Sequence, residues 1–339
     1  MKHAAPDQEL SVREASGEDA RIDAFVTAHP DATPFHLATW LRAVERGCGQ
    51  RARLLVAERG CEMVGYLPLT EMRSPVFGQA LVSSGFAVAG GVLGEGVEPL
   101  AAAARALGLP TVELRGGALP ADWLVDDETY LGFVKPLAAD DEAELNAVPR
   151  KQRAELRKAL ANDLEVVTGG LYLADEHYRV YAESVRNLGT PVFPRALFRE
   201  VLKNMDADIL TVRHHGRAVA SVLSLYFNGT VFPYWGGGVE AARRLRANDR
   251  MYFALMAHAR ARGCNRFDFG RSKAGTGPAA FKKNWGFAGQ PLCYAKWSSG
   301  PARDVNPLNP KYALMVRTWK KLPLPVANLL GPWISRGLG

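Results

Sequence analysis

Cysteine is scarce in this chain of 339 residues: Cys48, Cys61, Cys264 and Cys293 lie far apart, with no Cys-x-x-Cys pair. That spacing argues against a thiolate zinc site or a redox dithiol and suits a chain kept reduced. The seven histidines show no metal-ligand spacing, so no metal is expected; the adjacent His214 and His215 read as part of a hairpin turn. No apolar run approaches the roughly 18 residues of a membrane-spanning helix. Residues 1–10 are polar, with Asp7 and Glu9, unlike a secretory signal. The expectation is a cytoplasmic protein with no permanently bound cofactor. Its hydrophobic content of 47% and charged content of 23% are those of a globular chain.

Acidic residues are nearly missing from one end. From Lys296 to Gly339 there are seven basic residues and one acid, Asp304, which accounts for six of the seven net positive charges. The rest of the chain is close to neutral. A nucleic-acid surface spread over the whole protein is therefore not expected, and DNA is not an expected partner. Residues 301–339 hold repeated prolines, and residues 312–322 read as one amphipathic helix with Trp319 beside Lys320 and Lys321. Basic residues next to Trp and Leu suit either an anionic membrane surface or an arm packed on the body of the protein.

What the chain does have is a glycine-rich corner. The short strand Arg266-Phe267-Asp268-Phe269 runs into Gly270-Arg271-Ser272-Lys273-Ala274-Gly275-Thr276-Gly277, and Phe281-Lys282-Lys283-Asn284-Trp285-Gly286-Phe287 follows. Three glycines in eight residues let the backbone approach a ligand and expose its N–H groups. Arg271, Lys273, Lys282 and Lys283 surround the loop with positive charge, which suits a phosphate or a carboxylate. Thr276 and Gly277 stand where a Walker A loop needs Lys and Ser/Thr, and no Gly-x-Gly-x-x-Gly opens a helix here.

The chain also reads as two similar halves. Strands at 54–57 and 64–69 flank a turn at Gly60. A double glycine (Gly90-Gly91), a helix near 97–107 and a strand at 111–114 follow. In the second half, strands at 209–212 and 219–226 flank a turn at Gly216. Asn228-Gly229 marks a hairpin, and a strand at 231–235 ends in Gly236-Gly237-Gly238. A helix near 248–262 and the strand at 266–269 complete it. A meander, a crossover helix and a returning strand make a mixed α+β half, and a single repeat of about 150 residues indicates a duplicated domain. Between the halves, residues 150–161 form a basic helix on which Arg153 and Arg157 share a face.

These residues resemble the FemAB-like acyltransferases, which carry two tandem domains of the Gcn5-related acyltransferase type. More narrowly, the chain resembles the FemAB-like group associated with exosortase and exopolysaccharide systems. The resemblance rests on residues 149–158, on Val192-Phe193-Pro194-Arg195-Ala196-Leu197-Phe198, on the glycine corner with the Phe281-Lys282 element, and on Asn309-Pro310-Lys311-Tyr312, residues 319–324 and Gly331-Pro332. It implies an α/β fold of mixed α+β type: two acyltransferase-like domains with mixed sheets, at 1–140 and 141–298, and a basic arm at 299–339. It also implies amide or ester formation on a glycan or peptidoglycan precursor, with acyl-CoA or aminoacyl-tRNA as donor. Residues 177–205 are too short, and hold Pro191 and Pro194, for the long helical insertion of the tRNA-using synthases.

On this reading Lys282 stabilises a developing oxyanion or phosphate charge, and Arg271 clamps an anion. Ser272, Gly275, Thr276 and Gly277 border the donor. Asp268 takes the nucleophile's proton or bonds the loop backbone, the latter being favoured. Gly236 and Gly237 free N–H groups near the acyl carbonyl or mark a strand stop. Arg153 and Arg157 grip a phosphate or sugar acid, or form a solvated face. Trp235 and Phe193 wall the cleft or belong to the core, the core being favoured. The first half lacks a counterpart of the Lys282 element after Arg115-Gly116-Gly117, so catalysis is expected in the second half alone. Attachment to the inner membrane face is expected through residues 301–339. A non-catalytic ligand-binding or scaffold protein of an envelope or exopolysaccharide assembly system is the alternative.

Overall fold

The computed structural model describes residues 9–300 and 310–339, without the side chains of 310–313. The expected polar N-terminus up to residue 8, and residues 301–309 of the expected arm, lie outside the described residues. The chain forms two compact units. One comprises Met1–Asp127, Cys293–Val305 and Gly337–Gly339; the other comprises Glu128–Leu292 and Asn306–Arg336.

The first unit opens with β1 (Leu10–Ala15), α1 (Ala20–Ala28) and α2 (Ala38–Cys48). The antiparallel strands β2 (Arg51–Arg59), β3 (Glu62–Ser74) and β4 (Gly78–Ser83) follow, with a two-residue strand β5 (Leu93–Gly94) beside β3. The crossover helix α3 (Val97–Ala106) leads to β6 (Thr111–Arg115), then β7 (Leu124–Asp126). A late segment, β15 (Tyr294–Ser298), inserts between β6 and β7, giving the order β1-β2-β3-β4-β6-β15-β7. Leu100, Ala101 and Ala104 recur at helical spacing and are buried against Leu55, Ala57, Leu67 and Leu69.

The second unit opens with β8 (Tyr130–Pro136), α4 (Asp141–Ala147), α5 (Arg150–Ala161) and β9 (Glu165–Gly169). Helices α6 (Ala174–Leu188) and α7 (Arg195–Asn204) precede the meander β10 (Ala207–His214), β11 (Arg217–Phe227) and β12 (Thr230–Gly238). Then come α8 (Glu240–Leu245), α9 (Ala247–Ala261), β13 (Arg266–Lys273), α10 (Gly277–Asn284) and β14 (Gly289–Pro291). Helices α11 (Pro310–Trp319) and α12 (Leu324–Ser335) end it. The strand order is β9-β10-β11-β12-β13-β8-β14. Its hairpins turn through pairs of left-handed residues that end in glycine: His215 (φ 50°) with Gly216 (φ 71°), and Asn228 (φ 43°) with Gly229 (φ 69°).

Both sheets thus run an antiparallel meander into one parallel junction, as the duplication implied. The sixth position of each sheet is filled from a distant stretch of chain: β15 in the first unit, β8 in the second. Because β8 pairs with both β13 and β14, the second unit begins at Glu128 rather than near residue 141, and residues 294–298 return to the first.

Other expectations are corrected. Gly236-Gly237-Gly238 are the last three residues of β12 and stay in the ladder, paired with Val222, Ser221 and Ala220 of β11. Gly90-Gly91 lie in a loop beyond β4, so they are not the counterparts of Gly236-Gly237. Of the expected arm, the described helices α11 and α12 group with the second unit. Ser335 Oγ there donates to the Val192 carbonyl at 2.8 Å.

Candidate active site

The glycine corner is a bulge inside a strand. β13 pairs with β8 through Arg266, Phe267 and Asp268, slips register, and resumes at Arg271, Ser272 and Lys273. Gly270 takes φ 65°, and its N–H donates to Asp268 Oδ1 at 2.8 Å. Lys282, on α10, reaches back under the bulge. Its Nζ donates to the carbonyls of Gly270 (3.2 Å) and Arg271 (3.0 Å), between the rings of Phe133 and Phe269. Burial lowers the Lys282 pKa to about 8; nearby Asp268 opposes that shift and Arg271 adds to it. Burial pushes Asp268 up, opposed by the Gly270 hydrogen bond and the Lys282 charge.

Lys282, expected to face an incoming charge, therefore turns two of its three donors onto the carbonyls of β13. One N–H remains. Asp268 makes the loop-backbone bond and holds the bulge shut. The two are one device: the carboxylate fixes the N–H side of the bulge and the ammonium fixes its carbonyls.

The loop itself borders open space. A Cβ added at Gly270, Gly275 or Gly277 would meet nothing within 4 Å. Gly275 takes φ 74°, so Gly270 and Gly275 are required by backbone conformation, while Gly277 is free of both constraints. Thr276 caps α10 with no side-chain hydrogen bond to the helix. Its Oγ1 instead donates to the Lys273 carbonyl at 2.7 Å. The first N–H groups of α10 thus lack a side-chain cap at the loop. Arg271 and Lys273 alternate along β13 and share one face, over the ring of Tyr130. Ser272 faces the other way and is buried.

Beside this loop the sheet opens. β12 and β13 pair in parallel only through Thr230–Arg266 and Val231–Phe267. Tyr252 of α9 stands at the parting: its ring packs edge-on to Phe269, and its hydroxyl lies 3.0 Å from where a Cβ on Gly236 would be. On the other side, a Cβ on Gly237 would sit 2.2 Å from Ser184 Oγ of α6. The glycines of β12 let two helices close on the strand, which the sequence alone does not reveal. Trp235 is buried against Phe198 and near Phe193; it is core. Phe193 is half-buried beside it.

Arg153 donates to Asn146 at 3.2 Å and Arg157 is exposed. The helix that carries them is fastened elsewhere. Gln152 donates to Asp249 (2.6 Å), Asn162 to the Leu245 carbonyl (2.8 Å), and Glu155 pairs with Arg246 (2.5 Å). These bonds draw attention to the α8–α9 junction. Arg243 and Arg244 are exposed there, Arg246 forms the left-handed corner, and α9 begins without a side-chain cap. Arginines beside a helix start without a side-chain cap are groups that suit an anion, although Arg246 already pairs with Glu155 and Asp249 lies in the first turn of α9. Their signal was in the sequence: Arg243-Arg244-Leu245-Arg246 directly before a strongly helical run.

The first unit has the same parting, since β4 and β6 pair only through Leu81–Val112 and Val82–Glu113. There the chain's own loop fills the space. Arg115 Nη1 donates to the Ala87 carbonyl (2.9 Å) and Tyr294 Oη to the Val88 carbonyl (2.6 Å). Val92 bridges to Gly117.

Residues 148–283, which include α5, the β12–β13 parting and the glycine loop, match the acetyltransferase (GNAT) domain family. No curated protein matches the chain. Among solved structures it is similar to FemX, with a TM-score of 0.64 at 15% identity, over 84% of this chain and 96% of that one. It is also similar to the C-terminal domain of a putative lysylphosphatidylglycerol synthetase from Agrobacterium fabrum (TM-score 0.57, 15% identity, 88% and 95% covered). A tandem GNAT protein from the clavulanic acid biosynthesis pathway is a third (TM-score 0.54, 13% identity, 87% and 100% covered). At these identities the likeness is one of fold: two tandem GNAT-like units. The domain match assigns acyltransferase chemistry to the second.

Proposed function

We propose that the second unit moves an acyl or aminoacyl group from a phosphate-bearing donor to an amine or hydroxyl of a cell-envelope or exopolysaccharide precursor. The observation that carries this reading is the coincidence of the acyltransferase domain match with an open, bulged loop beside the parting of β12 and β13. The donor's phosphates lie at the α8–α9 junction, with Arg243 and Arg244, and its extended arm runs along the parted strands. Acyl-CoA and aminoacyl-tRNA both have this shape: a phosphate-rich body and a thin acyl-bearing end. The acceptor's anionic groups meet Arg271, Lys273 and the loop N–H groups.

In the reaction the acceptor's nitrogen or oxygen attacks the acyl carbon, the carbonyl oxygen gains charge, and the thiolate or ribose oxygen leaves with the nucleophile's proton. The remaining N–H of Lys282 and the Tyr252 hydroxyl donate to the carbonyl oxygen. Asp268, Gly275, Thr276 and Gly277 shape the loop. The likeness to the domain of a putative lysylphosphatidylglycerol synthetase from Agrobacterium fabrum fits aminoacylation of an envelope component; the narrower tie to exopolysaccharide rests on the sequence resemblance alone.

Calorimetric titration with acetyl-CoA, a longer acyl-CoA and aminoacyl-tRNA tests the reading. One donor is expected to bind saturably and to weaken in a Lys282→Ala or Arg243→Ala variant. Absence of binding by all three overturns it.

A further inference from the structure

The last helix carries two faces. Ala327, Gly331 and Ser335 recur every four residues along α12 and are buried. Gly331 is close-packed on Val192, where a Cβ would meet the Val192 backbone N at 3.0 Å. Val326, Leu329, Leu330 and Trp333 fall on the opposite face at the spacing of one helical stripe, and they are 40%, 78%, 43% and 50% exposed. Leu314 and Met315 of α11 are exposed as well. Isolated exposed leucines need no explanation, but four large apolar groups in one stripe do.

Charge identifies what covers the stripe. Residues 306–339 contain Lys311, Arg317, Lys320, Lys321 and Arg336 and no acid, and α12 itself is uncharged from Leu324 to Ser335. At 1.5 Å per residue, a helix of this length spans roughly 18 Å, well short of a bilayer core. Among the described residues no helix is long and apolar enough to cross a membrane.

We propose that α12 lies flat in an anionic lipid bilayer, with Val326, Leu329, Leu330 and Trp333 in the acyl boundary and the flanking lysines and arginines at the headgroups. The inner stripe stays on the protein, so the helix need not unpack to bind. This narrows the membrane contact expected within residues 301–339 to α12. It extends the acceptor side of the proposed function, yet its test needs no turnover, so either idea can fail alone.

The full chain is mixed with vesicles of phosphatidylcholine containing about a third phosphatidylglycerol, and with pure phosphatidylcholine vesicles, and the bound fraction is read by flotation. Binding to the anionic vesicles is expected, with at least a roughly tenfold loss in the double variant Leu329→Glu, Trp333→Ser and a further fall with added salt. The changed side chains are exposed, so the variant's thermal transition should match the wild type's, and that match separates lost binding from lost folding. Equal binding of variant and wild type overturns the proposal. So does a wild-type dimer in light scattering that the double variant dissociates without any vesicle binding, which would make the stripe a contact between two copies.

Discussion

Lys282 Nζ lies 3.2 Å from the Gly270 carbonyl and 3.0 Å from that of Arg271, so the helix after the loop holds the strand before it. The lysine is buried, with a pKa lowered from 10.5 to about 8. The unfolded chain then keeps its proton between about pH 8 and 10.5 while the folded chain gives it up, so stability from this group rises with pH across that window. Relative to Lys282→Met, the wild type should gain on the order of 2–3 kcal/mol between pH 7 and pH 10. Urea denaturation at the two pH values measures it. A stability difference that does not change with pH would mean that the ammonium is not held as the structure shows.

The same variant should cut kcat about a hundredfold at saturating donor, the usual cost of losing one donor to a developing oxyanion. A change in KM alone would leave Lys282 as a support of the loop with no part in the chemical step.

A second relationship concerns Gly237 and Ser184. A Cβ at residue 237 would lie 2.2 Å from Ser184 Oγ and 2.6 Å from Ser184 Cβ, so Gly237→Ala forces α6 away from β12. A cost of about 1–3 kcal/mol is expected, as for other overpacked sites. Ser184→Gly removes both offending atoms at a helix cost of about half a kcal/mol. The double variant should therefore be more stable than the sum of the two single effects predicts, and a double-mutant cycle by chemical denaturation reads this directly.

Much of the fold could be read from local signals. The two hairpin turns, the helices at 150–161 and 247–261, and the repeated order of meander, crossover and return all follow from glycine, asparagine and apolar periodicity. The exchange of β8 and β15 could not. Tyr130-Leu131-Gly132-Phe133-Val134 reads as a strand of some sheet, but pairing across 130 residues of intervening chain leaves no local trace. At the site, the loop was legible because Gly270 and Gly275 take left-handed backbone that favours glycine. The direction of Lys282 was not, since the carbonyls it meets are turned by a bulge that exists only once β8 is in place. Likewise Gly236 and Gly237 look like a strand end, because the helices that need the space lie at residues 184 and 252. Arg243, Arg244 and Arg246 were plain in the sequence, and only the uncapped start of α9 gives them a use.

That use leads to a binding prediction. Arg243 and Arg244 are exposed, and in the proposed function they meet the donor's phosphates away from the reacting atoms. Changing both to alanine should raise KM for the donor about tenfold or more while leaving kcat nearly unchanged, because such contacts bind substrate and transition state alike. The effect should shrink at high salt. A fall in kcat with an unchanged KM would place these arginines in the chemistry instead.

The final prediction concerns acid. His177 is fully buried, its Nδ1 2.9 Å from Ser221 Oγ, and burial lowers its pKa to about 3. His36 is buried in the first unit, where burial outweighs its contacts with Thr33 and the Gly91 carbonyl and lowers its pKa to about 4. Both are neutral in the folded chain, whereas both take up a proton near pH 6.5 once unfolded. The unfolded state then binds more protons, so stability falls as pH drops below 6.5, by up to about 1.4 kcal/mol per pH unit for each histidine. His177→Asn keeps a hydrogen-bonding group near Ser221 without a titrating ring. Denaturation of this variant and of the wild type between pH 6.5 and 5 should show the shallower slope in the variant. Equal slopes would mean that His177 gains a proton in the folded chain, and that its ring meets an acceptor other than Ser221.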